Sequence, residues 1–299
     1  MQPKIYVILL NYNGYKDTLE CVKSLKKVNY NNLRIIVVDN ASTDDSDSIL
    51  SNNKEYVYLK ADKNEGFAKG NNIGIEYAIS NGAEYILLLN NDTIVEEDFL
   101  NQMISIFYEE ERIGIVGSKI LYYPQKDVIW YGGGYVDWFN FVGLNDGKGI
   151  KDNGNYNKVS DVSFITGCCM LIKTEVILKV GYLPEEYFMY YEDVEFCINV
   201  SDAGYRLVYN PKSIIYHKVS VSSGGEDSPF TLKWLTRNKI IFMEKYRYKV
   251  RNSKYLRAYI YFYLTRFIRI IQFLFKNREK AKAIYSGIKE GIKIKKYFY

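Results

Sequence analysis

The chain opens on an apolar run that stops at a polar cluster, and the pattern then recurs. Lys4–Leu10 (KIYVILL) ends in Asn11-Tyr12-Asn13-Gly14, and Leu33–Val38 (LRIIVV) ends in Asp39-Asn40-Ala41-Ser42. Tyr56–Leu59 precedes Asn64-Glu65-Gly66, and Tyr85–Leu89 (YILLL) stops at Asn90-Asn91-Asp92. Short continuous apolar runs bounded by polar residues predict strands buried on both faces, as in a parallel sheet. Between them, Leu19, Val22 and Leu25 recur at helical spacing. Ser42 or Asp44 can cap a short helix to about Leu50, a helix is expected over Phe67–Ile79, and another begins near Glu97. Such alternation predicts an α/β fold with helices on both faces of a mostly parallel sheet. Right-handed crossovers then bring the strand ends to one edge, where ligands bind in open α/β sheets. That edge collects Asn11, Asp39, Asn64 and Asp92.

After a strand at Ile113–Ser118 the pattern loosens. Residues 124–160 carry Trp130, Gly132-Gly133-Gly134 and Trp138 with little regular period, which predicts a long functional or flexible loop. Order returns at Val162–Ile172, followed by a helix at Thr174–Val180 and another from about Tyr191 to Ala203. Strand-like segments Leu207–Tyr209 and Ser213–Tyr216 lead into His217, the only histidine. Beyond it, Ser220–Asp227 (SVSSGGED) is a Gly/Ser-rich segment able to close over a ligand. Gly66, Gly70 and Gly74 recur every four residues, a stripe suited to close approach of a helix to the sheet or a ligand.

Charge changes the picture. The net +5 hides an acidic body and a basic tail: residues 231–299 hold 19 Lys/Arg against 3 Asp/Glu, leaving 21 against 32 in residues 1–230. A basic tail points to nucleic acid or an anionic membrane surface. Within it, Lys254–Phe275 (KYLRAYIYFYLTRFIRIIQFLF) is interrupted by Arg257, Arg266 and Arg269, whereas a spanning helix wants about 20 predominantly apolar residues. A basic amphipathic helix lying in the membrane interface is expected, with packing on the body or at a dimer interface as the alternative. The long apolar runs and the acidic body count against nucleic acid. The four cysteines show no CxxC spacing, and Cys168-Cys169 sits in an apolar run that suggests core packing. With no signal peptide before the first strand, a reduced cytoplasmic compartment is expected.

Several residues can carry chemistry. A carboxylate such as Asp92 at a strand end can hold a divalent cation, and Mg²⁺ sites pair one or two carboxylates with substrate phosphates. His217 could ligate the cation or pair with a diphosphate, or could be a hydrogen-bonded core residue. Glu192-Asp193 could supply a general base, or merely an acidic helix N-terminus. Neither GxGxxG after a strand nor GxxxxGK[ST] occurs, which disfavours a dinucleotide oxidoreductase and a P-loop enzyme.

Seven pieces in order carry a resemblance: VILLNYNG at 7–14, VVDNASTDDS at 37–46, NEGFAKGNNIGI at 64–75, LLLNNDT at 87–93, ITGCCMLI at 165–172, FMYYEDVEFCIN at 188–199 and the run around His217. Over roughly residues 4–240 the chain resembles the inverting glycosyltransferases of family 2, and among those the rhamnosyltransferase-like members. The resemblance implies the Rossmann-like GT-A fold over residues 1–230. A donor half would take about 1–118 and an acceptor half about 119–230, with 231–299 as a helical tail. It implies transfer of a sugar from a nucleotide-diphosphate sugar to a hydroxyl of a glycan or lipid-linked acceptor, with Mg²⁺ or Mn²⁺ as cofactor. The family's donor contacts fall on Asn11, Tyr12 and Asp39, with Asn64, Lys69 and Asn91 nearby. Its metal motif ends on Asp92, with His217 completing the shell as in some relatives, and its catalytic base falls on Asp193. Where many relatives have Asp-x-Asp, this chain has Asn90-Asn91-Asp92 and so a single carboxylate. Glu192, Trp130 and Tyr191 are acceptor-site candidates. The expected location is peripheral, on the inner face of the cell membrane. A catalytically silent nucleotide- or carbohydrate-binding protein on the same fold is the alternative.

Overall fold

The computed structural model describes residues 2–219 and 227–295, so most of Ser220–Asp227 lies outside the described residues. The chain forms two compact units. The first comprises Met1–Tyr135, Leu144–Glu186 and Glu192–Ser220; the second comprises Val136–Gly143, Tyr187–Tyr191 and Val221–Tyr299.

The apolar runs of the N-terminal half become β1 (Ile5–Asn11), β2 (Leu33–Asp39), β3 (Val57–Lys60) and β4 (Tyr85–Asn90). Helices α1 (Tyr15–Leu25), α2 (Ser46–Leu50) and α3 (Phe67–Ser80) connect them. All three pairings among these strands, β1 with β2, β1 with β4 and β2 with β3, are parallel. β1 is nearly wholly buried because both its faces and both its edges are covered. The glycine stripe serves the sheet: a Cβ on Gly70 would lie 2.4 Å from Leu10 Cδ1, and one on Gly74 would lie 2.6 Å from Ile8 Cγ2. Gly66 is not part of the stripe. It caps α3 at φ 94°, a left-handed conformation that favours glycine.

The C-terminal half of the sheet mixes directions. It is built from β5 (Thr93–Val95), α4 (Phe99–Phe107), β6 (Ile113–Tyr122), β7 (Ile129–Tyr131), β8 (Gly134–Asp137), β9 (Val142–Asn145), β10 (Ser160–Val162), β11 (Cys169–Lys173), α5 (Thr174–Val180), α6 (Glu192–Asp202) and β12 (Arg206–His217). The main sheet runs β10-β12-β6-β11-β4-β1-β2-β3, with β5 added to β12 and β7 to β6; β8 and β9 form a separate ribbon. β11 inserts antiparallel between β4 and β6. Residues 124–160, expected as a loop, thus contain short strands of three or four residues, too brief to impose an alternating pattern on the sequence. The two segments expected before His217 are one strand. Its register against β6 shifts between Asn210 and Ile214, where Pro211 supplies no N–H and Asn210 Oδ1 accepts from Lys212 N at 3.1 Å.

In the second unit the tail forms α7 (Pro229–Lys245), α8 (Asn252–Lys276) and α9 (Arg278–Lys295). Ser228 Oγ accepts from Thr231 N at 3.0 Å and Pro229 follows it, a capped helix start. Gly287 and Gly291 let α9 lie against the α7 backbone, since a Cβ on Gly287 would stand 2.5 Å from the Lys233 carbonyl. Trp138 stacks on Phe242 with ring centroids 6.2 Å apart, within an aromatic cluster that also takes in Phe141, Tyr191 and Tyr246. Among the described residues, no helix is long and apolar enough to cross a membrane.

The close approach of α3 to β1 predicts an asymmetry. Gly74→Ala drives a methyl into the fully buried, β-branched Ile8 and should cost about 1–3 kcal/mol, less about 1 kcal/mol gained in helix propensity. Gly70→Ala meets only the tip of the more flexible, partly exposed Leu10 side chain and should cost less. Urea denaturation of the two variants checks the order.

Candidate active site

Register puts Asn11 directly opposite Asp39, and Leu10 opposite Asn90, so the three strands end together. Asp39 is fully buried. Its Oδ1 accepts from Asn11 Nδ2 at 2.8 Å and Ser42 Oγ at 2.6 Å, and its Oδ2 accepts from Ser42 N at 3.0 Å. Thr18, buried on the inner face of α1, donates to Asn11 Oδ1 and accepts from Asn91 Nδ2, both at 2.9 Å. Asp39, Asn11, Thr18 and Asn91 therefore form one hydrogen-bonded chain across three strand ends. Thr18 is not among the residues the sequence pointed to, although a threonine on the apolar stripe of α1 was the available signal; Ser42, expected as a helix cap, instead serves Asp39, and Asp45 stands at the start of α2. Asn64 joins the edge through Asn40, whose Nδ2 donates to Asn64 Oδ1 at 3.0 Å. Tyr12 is exposed at the edge, and Lys69 is half-buried and paired with Glu65 at 2.7 Å.

A second cluster lies past β4. The pairing of β12 with β5 sets His217 opposite Thr93, beside Asp92. His217 Nε2 and Asp92 Oδ1 converge at 3.0 Å, and both residues are buried. Asn90 Nδ2 stands 3.5 Å from the same ring nitrogen. Buried Nδ1 of His217 has no hydrogen-bond partner among the described residues. Trp130 holds the imidazole from the side, edge-on with ring centroids 4.6 Å apart. Among the described residues there is no group of three or more His, Cys, Asp or Glu able to hold a metal. The Asp92–His217 pair nevertheless fits a divalent cation whose other ligands come from a diphosphate and water, since an imidazole nitrogen and a carboxylate oxygen 3.0 Å apart can both reach one ion.

Asp193 opens α6. Its Oδ2 accepts from Gly167 N at 3.0 Å and its Oδ1 from Val194 N at 2.8 Å, leaving lone pairs on both oxygens. Surrounding protein desolvates the carboxyl and pushes its pKa above the ordinary value, against the opposing pull of the Gly167 and Val194 N–H donors. Gly167 was also not singled out in the sequence; a Cβ there would lie 3.1 Å from the Phe67 ring. Glu192 is almost wholly buried. Within the second unit, Tyr191 is buried against Tyr187 and Phe242, and its hydroxyl donates to the Phe141 carbonyl at 3.1 Å. Tyr190 and Tyr191 both take left-handed φ, 74° and 80°, and Asn238 Nδ2 donates to the carbonyls of Met189 and Tyr190 at 2.8 and 3.0 Å. All four cysteines are buried and free.

Residues 6–181, more than half of the chain, match the sequence family described as glycosyl transferase family 2. The low-salt glycan biosynthesis hexosyltransferase Agl10 of Haloferax volcanii is 27% identical over 198 residues, which cover 66% of this chain and 61% of that protein. The chain thus spans less than two thirds of that relative's length. The dTDP-rhamnosyl transferase RfbF of Shigella flexneri is 25% identical over 258 residues, covering 82% of this chain and 81% of that one. The mannosyltransferase PcManGT of Pyrobaculum calidifontis, solved with GDP-Man and Mn²⁺, superposes with a TM-score of 0.58 at 14% identity over 98% of this chain and 76% of that one, a likeness of fold.

The raised Asp193 pKa has a measurable consequence for stability. A carboxyl harder to ionise in the native state than at about pH 3.9 unfolded gives stability that is complete below the unfolded pKa and lost as pH rises through the native one. The melting temperature of wild type minus that of Asp193→Asn should therefore fall as pH rises above about 4. A pH series of thermal melts reads that slope independently of the constant offset from the amide's lost acceptor.

Proposed function

The chain belongs to glycosyl transferase family 2, and on that premise we propose that it moves a sugar, with inversion, from a nucleotide-diphosphate sugar to a hydroxyl of a glycan or lipid-linked acceptor. The observation that supports this reading is that one unit holds both the buried Asp193 carboxylate, anchored by two N–H donors, and the strand edge at which Asp92 and His217 meet. The reaction is a single displacement. The acceptor oxygen bonds to the anomeric carbon as Asp193 takes its proton, and the bond to the diphosphate breaks with its electron pair leaving on the nucleotide. Burial that raises the Asp193 pKa makes it a better base near neutral pH, while Gly167 N–H holds the carboxylate in place. The edge formed by Asn11, Tyr12, Asp39, Asn64, Lys69 and Asn91 is the donor site in this reading. Asp92 and His217 would hold Mg²⁺ or Mn²⁺, which when bound offsets the charge on the departing diphosphate. The Mn²⁺ in the PcManGT complex supports this choice.

The names of the Haloferax and Shigella relatives support a hexose or deoxyhexose donor and a role in building surface glycans. In the same reading the protein works in the cytoplasm at the inner face of the cell membrane. The support is the basic second unit and the apolar outer side of α8, where Leu256, Ile260, Leu264, Phe267, Ile271 and Phe275 are exposed.

Asp193→Asn is expected to keep donor binding and lose at least about 10²-fold in turnover, read by release of nucleoside diphosphate with a glycan acceptor. Near-normal turnover would remove Asp193 from the mechanism. Asp92→Ala and His217→Ala should each abolish the extra thermal stabilisation that Mn²⁺ adds to bound nucleoside diphosphate, while leaving metal-free binding unchanged. A Mn²⁺ increment that survives in both variants rules out this pair as the metal site.

A further inference from the structure

The second unit holds an open cleft of about 420 Å³ between α7 and α8, lined by Lys239, Phe262, Thr265, Arg266 and Arg269 together with Tyr261 and Ile268. Three cations thus line one cleft, two of them over the same ring. Lys239 Nζ lies 5.4 Å and the Arg266 guanidinium 5.3 Å from the Phe262 centroid. The nearby carboxylates do little to neutralise them. Asp137 attracts Lys239, but its oxygens accept from Phe139 N and from the backbone and side chain of Asn140; Asp227 reaches Arg269 only at 3.7 Å. Buried Arg266 Nε has no hydrogen-bond partner among the described residues. Burial, and after it the Arg266 charge, bring the Lys239 pKa down to about 8 against the opposing pull of Asp137.

The helix that walls this cleft is inverted. At about 100° per residue, Leu256, Ile260, Leu264, Phe267, Ile271 and Phe275 fall on one arc of α8, and all six are exposed. Its inner side carries the cations Arg266 and Arg269 beside the buried Tyr255, Ala258 and Phe262. Over its 25 residues α8 has five Lys or Arg and no Asp or Glu. Tyr261 and Ile268 belong both to the cleft wall and to the exposed apolar surface, so the two are continuous.

We infer that this cleft binds the phosphate group of an anionic membrane lipid, with the lipid chains lying along the outward face of α8. The charge favours an anion with several acceptor oxygens, and the adjoining apolar arc favours one that carries hydrocarbon. The Arg266 Nε donor, unpartnered among the described residues, gains from phosphate an acceptor that no described side chain provides. The inference rests on the membrane-surface part of the proposed function and not on the transfer reaction.

The test uses full-length protein, flotation with phosphatidylcholine vesicles with or without phosphatidylglycerol, and two variants of equal charge loss. One replaces Lys239, Arg266 and Arg269 with Gln; the control replaces the exposed Lys282, Lys289 and Lys293 of α9. The cleft variant is expected to lose at least about tenfold more binding to phosphatidylglycerol vesicles than the control, because general attraction scales with charge number alone. Removing three mutually repelling cations should not lower its melting temperature, and the half-exposed Arg269→Gln serves alone if it does. Equal loss in the two variants would sink the site while leaving the membrane reading intact. Wild type that ignores phosphatidylglycerol vesicles overturns both, with transfer to a soluble acceptor measured separately. Monomeric dihexanoyl-phosphatidylglycerol should raise the melting temperature of wild type and not of the cleft variant. An equal rise from inorganic phosphate at the same concentration would overturn the lipid assignment in favour of free phosphate.

Discussion

A strand buried on both faces has no water to satisfy its backbone, so β1 needs hydrogen-bonded neighbours along its whole length. β2 and β4 supply them, both parallel to it and both in a register that ends within a residue of its own end. The hydrogen-bonded chain from Asp39 to Asn91 follows from that shared ending. Asn11 and Asp39 meet because they are register partners, and Thr18 from the next helix closes the gap to Asn91. The same burial forces α3 to approach β1 through Gly70 and Gly74, which carries the Asn64 turn to this edge.

The candidate catalytic groups sit where the fold is least content. Asp193 is held by two N–H donors yet desolvated enough that its charged form is disfavoured. His217 keeps one buried ring nitrogen unpartnered, and the residues just before Glu192 are both left-handed. Each departure costs stability in the free protein and suits a group that must bind or move a proton when substrate arrives. The well-satisfied Asp39 cluster beside them is the contrast: a carboxylate with every nearby donor engaged organises the edge.

The second unit solves a different problem. Its packing relies on aromatic stacking around Phe242 and on glycines that seat α9 against α7. That leaves α8 with a narrow buried side of small and aromatic residues, so its larger aliphatic side chains face outward. Exposed apolar arcs of this kind are uncommon on proteins surrounded only by water.

Much of the first half could be read from the chain. Four apolar runs, three of them closed directly by Asn or Asp, determined four strands, their parallel sense and the edge at which their ends gather, because that pattern is a local consequence of two-sided burial. The wider half could not be read this way. Strands of three or four residues such as β7 and β9 are too short to leave a period, and the antiparallel insertion of β11 depends on partners more than fifty residues away. Sequence put Asp92 and His217 on separate strand ends; only the pairing of β12 with β5 brought them within 3.0 Å. Likewise, composition made α8 basic and apolar, but which of those properties faces outward was decided by what α8 packs against, since helical spacing defines two faces without saying which one is covered.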